Sequence, residues 1–159
     1  MEIEKKYLIK YLPENIDLTD VNEIEQGYLC VNPVVRIRKY NEQYILTYKM
    51  HQDVRTKEDT CVNKEVELEL TRDSYEHLKE KADGYIISKK RYKVPYNDLI
   101  IELDIFSGEN EGLIIAEVEF PDIETANGFE PPEWFGDNVS GNKSYTNAYL
   151  SSHPYKTSM

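Results

Sequence analysis

The N-terminus reads Glu2-x-Glu4-x-Lys6. In an extended chain successive side chains point to opposite faces, so these three share one face and Ile3 takes the other. Charge in the same phase recurs down the chain. Arg36 and Arg38 stand against Val35 and Ile37, and Lys49 is in phase with Thr47 and Ile45. Glu65, Glu67 and Glu69 alternate with Val66, Leu68 and Leu70, and Lys89 and Arg91 follow. Glu102 and Asp104 stand against Ile101, Leu103 and Ile105, and Glu117 and Glu119 against Ala116, Val118 and Phe120. Clustered carboxylates bind hard cations such as Mg²⁺ or Mn²⁺, which keep waters and bridge to phosphate oxygens. Arg and Lys neutralise the remaining phosphate charge, Arg with a planar bidentate fork. An acidic cluster beside a basic one is the chemistry of a divalent metal with a polyphosphate.

Strands must position these residues. The pattern predicts strands over 2–10, 25–31, 34–40, 43–50, 64–70, 85–94, 99–106 and 113–120. Asn41-Glu42 and Pro95 with Asn97-Asp98 read as turns, 13–22 as a polar connection, and 51–62 as a mobile loop. Thr71-Arg72-Asp73 opens a helix to about Ala82, with Tyr75 and Leu78 at helical spacing and Gly84 as its stop. Beyond Pro121 the chain turns to short helical pieces and loops, with a terminal helix near 144–152. The fold expected is α+β, mostly antiparallel β: an eight-stranded closed or nearly closed barrel in one domain spanning 1–159.

Two architectures satisfy the alternation. In one, the apolar faces fill the barrel and the charges meet water, the usual arrangement. In the other, the charges line a tunnel and helices cover an apolar outside. Three features favour the second. Sign is segregated by strand, with acids on the fifth, seventh and eighth and bases on the third and sixth. Like charges at i and i+2 repel, and a plain surface has no reason to concentrate them. Tyr75, Leu78, Trp134, Phe135, Tyr149 and Leu150 also need a surface to pack on.

The remaining composition narrows the partners. The 159 residues carry 19 Lys and Arg against 30 Asp and Glu, a net charge of −11, which argues against general nucleic-acid binding. Cys30 and Cys61 have no metal-ligand or redox spacing and read as free thiols. His51, His77 and His153 have no ligand spacing either. The run Gly136-x-x-x-x-Gly141-Asn142-Lys143-Ser144 resembles a P-loop, but one residue intrudes before the lysine and no strand precedes it. No signal peptide is read and no apolar run approaches a membrane helix, so a cytoplasmic protein is expected. Charged Lys5, Lys39 and Lys90 on the outer phase argue against a porin-like barrel.

Glu2-x-Glu4-x-Lys6 resembles the ExExK signature of the CYTH, or triphosphate tunnel metalloenzyme, superfamily. The resemblance continues through Gln26-Gly27-Tyr28-Leu29, Val35-Arg36-Ile37-Arg38, Thr47-Tyr48-Lys49, Glu65-Val66-Glu67-Leu68-Glu69, Lys89-x-Arg91-Tyr92, Glu102-Leu103-Asp104-Ile105-Phe106 and Ala116-Glu117-Val118-Glu119. Ser144-Tyr145-Thr146-Asn147-x-x-Leu150 resembles the end of the small bacterial members. The resemblance implies an eight-stranded tunnel that binds triphosphate with one or two divalent metals, Mg²⁺ or Mn²⁺. It implies hydrolysis of inorganic triphosphate, with thiamine or nucleoside triphosphates and ATP cyclisation as alternatives inside the fold. A non-catalytic polyphosphate- or nucleotide-binding module is the alternative from another class.

Glu2, Glu4, Glu117 and Glu119 are the first candidates for metal ligands, then Glu102 and Asp104. Glu65, Glu67 and Glu69 are candidates to orient the bases. Lys6, Arg36, Arg38, Lys49, Lys89 and Arg91 are candidates to hold the phosphates. Tyr28 is expected on a strand beside the first one. There the Lys6 ammonium would favour the phenolate, and the pair could orient or deprotonate an attacking water. The expected partner is a small polyanionic substrate, with no nucleic acid or membrane and with room for a homodimer.

Overall fold

The computed structural model describes residues 2–51 and 60–155. Positions 52–59, most of the expected 51–62 loop, lie outside the described residues, as does the Cys61 side chain. The elements run β1 (Glu2–Ile9), β2 (Val21–Val31), β3 (Val34–Tyr40), β4 (Gln43–His51), β5 (Cys61–Glu69), α1 (Arg72–Lys79), β6 (Asp83–Tyr96), β7 (Leu99–Ser107), β8 (Ile114–Glu119), α2 (Ile123–Asn127), β9 (Phe135–Asn138) and α3 (Asn147–Ser152).

Strands β1 to β8 close an antiparallel barrel in the order β1-β5-β4-β3-β2-β6-β7-β8, with β8 returning to β1. Asn41 and Asn97 turn the β3–β4 and β6–β7 hairpins in the left-handed region, each at φ 54°, a conformation asparagine tolerates well. Strand β2 starts at Val21 rather than 25. The backbone N–H of Glu23 donates to Asn41 Oδ1 at 2.8 Å, and Asn41 Nδ2 donates to Asn22 Oδ1 at 2.9 Å, which extends the ladder. In this closed order β2 stands opposite β1 across the barrel, not beside it as the sequence had suggested. Hairpin connectivity fixes which strands pair, but not where the first strand closes the ring.

Register sets the two faces. Arg36 opposes Thr47, Lys49 opposes Glu65, Arg91 opposes Asp104, Glu102 opposes Glu117, and Lys6 opposes Glu117. These side chains form the inner face. Outside, Ile3, Tyr7, Ile101, Leu103, Ala116 and Val118 pack with Phe120, Ala126 and Phe135, under the segment that carries α2 and β9. Lys5 lies on this outer face yet is buried, its ammonium donating to the Ala126 carbonyl at 2.7 Å. Strand β9 adds to the second half of β1 through Tyr7–Asn138 and Ile9–Phe135 and had no sequence signature, since Phe-Gly-Asp-Asn lacks β-branched residues. The P-loop-like run begins inside β9 and does not form a strand–loop–helix unit.

Helix α1 is held by a reciprocal capping box between Thr71 and Ser74 and buries Tyr75. Val66 points outward as expected but is 43% exposed rather than covered by a helix. Helix α3 does not lie on the barrel wall. Its Leu150 packs with Tyr28, Ile87, Phe106, Leu113 and Ile115, apolar residues that continue the inner face beyond its charged part. The helix therefore closes one end of the barrel. Gly84, at φ +67°, lets β6 meet it: a Cβ there would stand 2.3 Å from the Ser151 carbonyl oxygen. Gly84→Ala should lower stability by roughly 1–3 kcal/mol, the usual cost of a residue forced into such a conformation. Denaturant unfolding checks this, and an unchanged midpoint would contradict the close seating of α3.

Candidate active site

The inner face gathers the predicted residues into one charged lining, but with unequal pairing. Asp104 is the best-held acid. Arg91 Nε and Nη2 donate to its two oxygens at 2.7 and 2.9 Å, and Lys89 Nζ lies 2.7 Å from Oδ2. Burial alone would raise this carboxyl, but Arg91 and Lys89 hold it well below the usual range. Arg91 also reaches Glu102 at 3.3 Å and Glu117 at 3.9 Å, and Lys6 reaches Glu117 at 3.6 Å. Lys6, then Arg91, overcome burial and keep Glu117 at about 2. Lys49 bridges Glu2 at 2.9 Å and Glu65 at 3.6 Å.

The two arginines of β3 differ. Among the described residues no carboxylate lies within 4.0 Å of Arg36 or Arg38. Arg36 is only 6% exposed, and its buried Nε–H has no hydrogen-bond partner. Arg38 donates from Nε to Gln26 Oε1 at 2.9 Å. Burial, then Arg36 and Arg91, push Arg38 down to about 9, whereas Arg36 is raised against its burial by Tyr28 first and then by Glu65 and Glu2.

The opposite imbalance stands on β1, β5 and β8. Glu4 faces Glu119, and Glu102 faces Glu117, directly across the ladders. Like charges so placed repel. Burial and then Glu117 push Glu4 up to about 7, and burial and then Glu2 push Glu65 to about 7. Burial raises Glu102 against the pull of Arg91, and Glu119 at the exposed rim is raised by partial burial and by Glu2 and Glu102. A divalent cation would relieve this repulsion, and carboxylate oxygens are its preferred ligands. Among the described residues, however, no three or more His, Cys, Asp or Glu side chains are gathered closely enough to hold one as they stand. Asp104 is already engaged by two bases.

The first close relative decides the family. The inorganic triphosphatase of Acetivibrio thermocellus is 34% identical to the chain over 164 residues, covering 98% of this chain and 96% of that protein. The chain belongs to the inorganic triphosphatase family. A second inorganic triphosphatase, from Nitrosomonas europaea, is 33% identical over 94% of the chain and 95% of its own length. The solved structure of the inorganic triphosphatase NE1496 superposes with a TM-score of 0.68 at 29% identity, covering 98% of this chain and 97% of that one. No family model matches the chain. As a triphosphate tunnel metalloenzyme it has the fold expected from its alternation: a closed antiparallel barrel with charge inside.

Within that tunnel, Lys6 and Tyr28 stand on opposite walls. The Lys6 ammonium reaches Glu117, and the Tyr28 hydroxyl lies against Gln26. Glu67 lies on the inner face opposite Thr47 yet is exposed, and Glu69 follows it in the same phase. Two inner polar residues had been quoted in motifs without a role. Gln26 is fully buried between Arg38 and Tyr28, and Asn147 of α3 accepts from Lys89 Nζ at 3.4 Å. Their signal was a neutral amide in a charged or apolar setting, which without coordinates has no assigned partner.

The raised carboxyls set a pH dependence. Glu4 and Glu65 bind protons more tightly in the folded state, near 7, than in the unfolded chain, at the ordinary value of 4.5. Their contribution to stability is complete below 4.5 and lost as pH rises through 7. Metal-free protein should therefore lose stability across that window, and Mg²⁺ or Glu4→Gln should flatten the loss. Scanning calorimetry in chelator checks this, and a metal-free midpoint that rises across the window would contradict it.

Proposed function

We propose that this protein hydrolyses inorganic triphosphate to pyrophosphate and phosphate in the cytoplasm, using Mg²⁺ or Mn²⁺. The observation that carries the reading is the pair of guanidiniums on β3, Arg36 and Arg38, neither within 4.0 Å of a carboxylate among the described residues, facing a wall with surplus carboxylate. A bound triphosphate supplies the missing negative charge on one side. Glu2, Glu4, Glu117 and Glu119 would hold a divalent ion on the other, where it would add positive charge and Lewis-acid activation of water.

Each base has a distinct part in this scheme. Arg36 offers its unpartnered Nε–H to a phosphoryl oxygen, and Arg38 presents its guanidinium from the Gln26 anchor. Lys6 and Lys49 stand among the carboxylates, at Glu117 and Glu2, and would contact phosphoryl oxygens from that side. Arg91 and Lys89, the latter pushed down to about 7 by burial, are fixed by Asp104 and form the basic end next to the apolar closure by α3. Glu65, Glu67 and Glu69 orient this lining, with Glu65 within 3.6 Å of Lys49. Tyr28 contributes from the wall opposite Lys6. A tunnel closed at one end by Leu150 and Phe106 suits a short linear polyanion.

Phosphate release from inorganic triphosphate, ATP and thiamine triphosphate, each with Mg²⁺, Mn²⁺ or EDTA, tests the reading. Triphosphate should be hydrolysed fastest, EDTA should abolish turnover and either metal should restore it. Full turnover in EDTA would remove the metal from the reading, and no release from triphosphate would remove the function.

Arg38→Ala separates binding from folding. Removing a cation crowded by Arg36 and Arg91 should leave the melting temperature unchanged or raised, while KM for triphosphate rises tenfold or more, since a charge-assisted hydrogen bond contributes about 1.5–3 kcal/mol. A large drop in melting temperature with unaltered KM would assign Arg38 to the scaffold.

A further inference from the structure

Gln26 is 0% exposed on the inner face of β2. Its amide orientation is fixed by chemistry. Arg38 can only donate, so the atom 2.9 Å from Arg38 Nε must be the carbonyl oxygen of the amide. The NH₂ group then faces the other way, 3.4 Å from the Tyr28 hydroxyl oxygen, and donates to it. Across the ladder Tyr28 is paired with Arg36, another residue that can only donate. The phenol oxygen is thus bordered by donors. Among the described residues nothing accepts the phenol's own proton. The hydroxyl is left with a proton to give and belongs to the inner face that the triphosphate would occupy.

The geometry assigns Gln26 as a positioning residue that fixes Tyr28 as a hydrogen-bond donor to a phosphoryl oxygen of the substrate, while anchoring Arg38. It rests on triphosphate as the substrate. Tyr28 then acts by holding charge that develops on phosphate, and not by removing a proton from water.

Gln26→Glu tests this with little change of shape. The carboxylate keeps an acceptor for Arg38 but replaces the amide donor with a second acceptor, which captures the Tyr28 proton. It also adds negative charge beside Arg36 and Arg38, so folding should be retained. With triphosphate and Mg²⁺, kcat should fall tenfold or more, and KM should rise as well because the new carboxylate competes with phosphate for Arg38. Tyr28→Phe should match this loss. The double variant should be no slower than either single one, since both remove the same hydrogen bond. A kcat within threefold of wild type for Gln26→Glu, or losses that multiply in the double variant, would overturn the inference.

The pH profile of kcat gives a second readout that does not depend on Gln26→Glu folding. A donor role predicts parallel profiles for wild type and Tyr28→Phe. Loss of the rising limb in Tyr28→Phe would make Tyr28 a base and overturn the inference. Wild-type protein assayed alongside separates the two levels: without phosphate release from triphosphate the functional reading itself falls, and with it these outcomes bear on Gln26 alone.

Discussion

The structure depends on charge placed inside a closed β-barrel. Moving an ionised side chain out of water is costly unless it is paired or hydrogen-bonded. Most of the lining meets that condition. Asp104 holds Arg91 and Lys89, Lys49 joins Glu2 to Glu65, and Lys6 meets Glu117. Arg36 and Arg38 have no carboxylate within 4.0 Å among the described residues, while Glu4–Glu119 and Glu102–Glu117 set like charges face to face. These two imbalances have opposite sign and lie on opposite walls, β3 against β8 in the closed order. A ligand that carries both signs, such as a polyphosphate with its metal, would balance both.

Stability is supplied elsewhere. The outer cluster around Ile3, Ile101, Leu103, Val118 and Phe120 and the end cluster around Tyr28, Phe106 and Leu150 bury the apolar surface. Burial of such side chains contributes about 1.5–3 kcal/mol each, which can offset the cost of burying the charged lining. The two layers share strands but not faces, so period-2 alternation separates folding from function residue by residue. Tyr28 is an exception, standing in the end cluster by its ring and in the charged lining by its hydroxyl.

The alternation made the barrel legible, because seven strands carried charge in one phase, and sign segregation told inside from outside. Its limits were also physical. Strand β1 is buried on both faces, with Lys5 under α2 and Glu4 inside, so its outer lysine looked solvated. Position around the ring depends on closure between β1 and β5, which local pattern does not encode; hence Tyr28 was placed beside Lys6 rather than across from it. Strand β9 is held by pairing with β1 and not by propensity. Helix α3 has the same kind of apolar residues as a helix packed on a wall, and only the Gly84 approach and the Leu150 contacts put it at the barrel end. The charged residues of the lining were legible by type, but how far each is already paired was not. Asp104 and Glu4 look alike in sequence, yet one is saturated by two bases and the other is pushed up to about 7 by burial and Glu117.

The central claim is that Arg36 and Arg38 form an anion site left open by the protein's own side chains. Scanning calorimetry in EDTA, with and without inorganic triphosphate, tests it most directly. A ligand bound only to the folded state stabilises it by about 2.7 kcal/mol at a hundredfold excess over Kd. The account predicts that triphosphate raises the melting temperature of wild-type protein without metal, and that the rise disappears when both arginines are replaced by alanine. A melting temperature indifferent to triphosphate, or a rise that survives the double replacement, would contradict it.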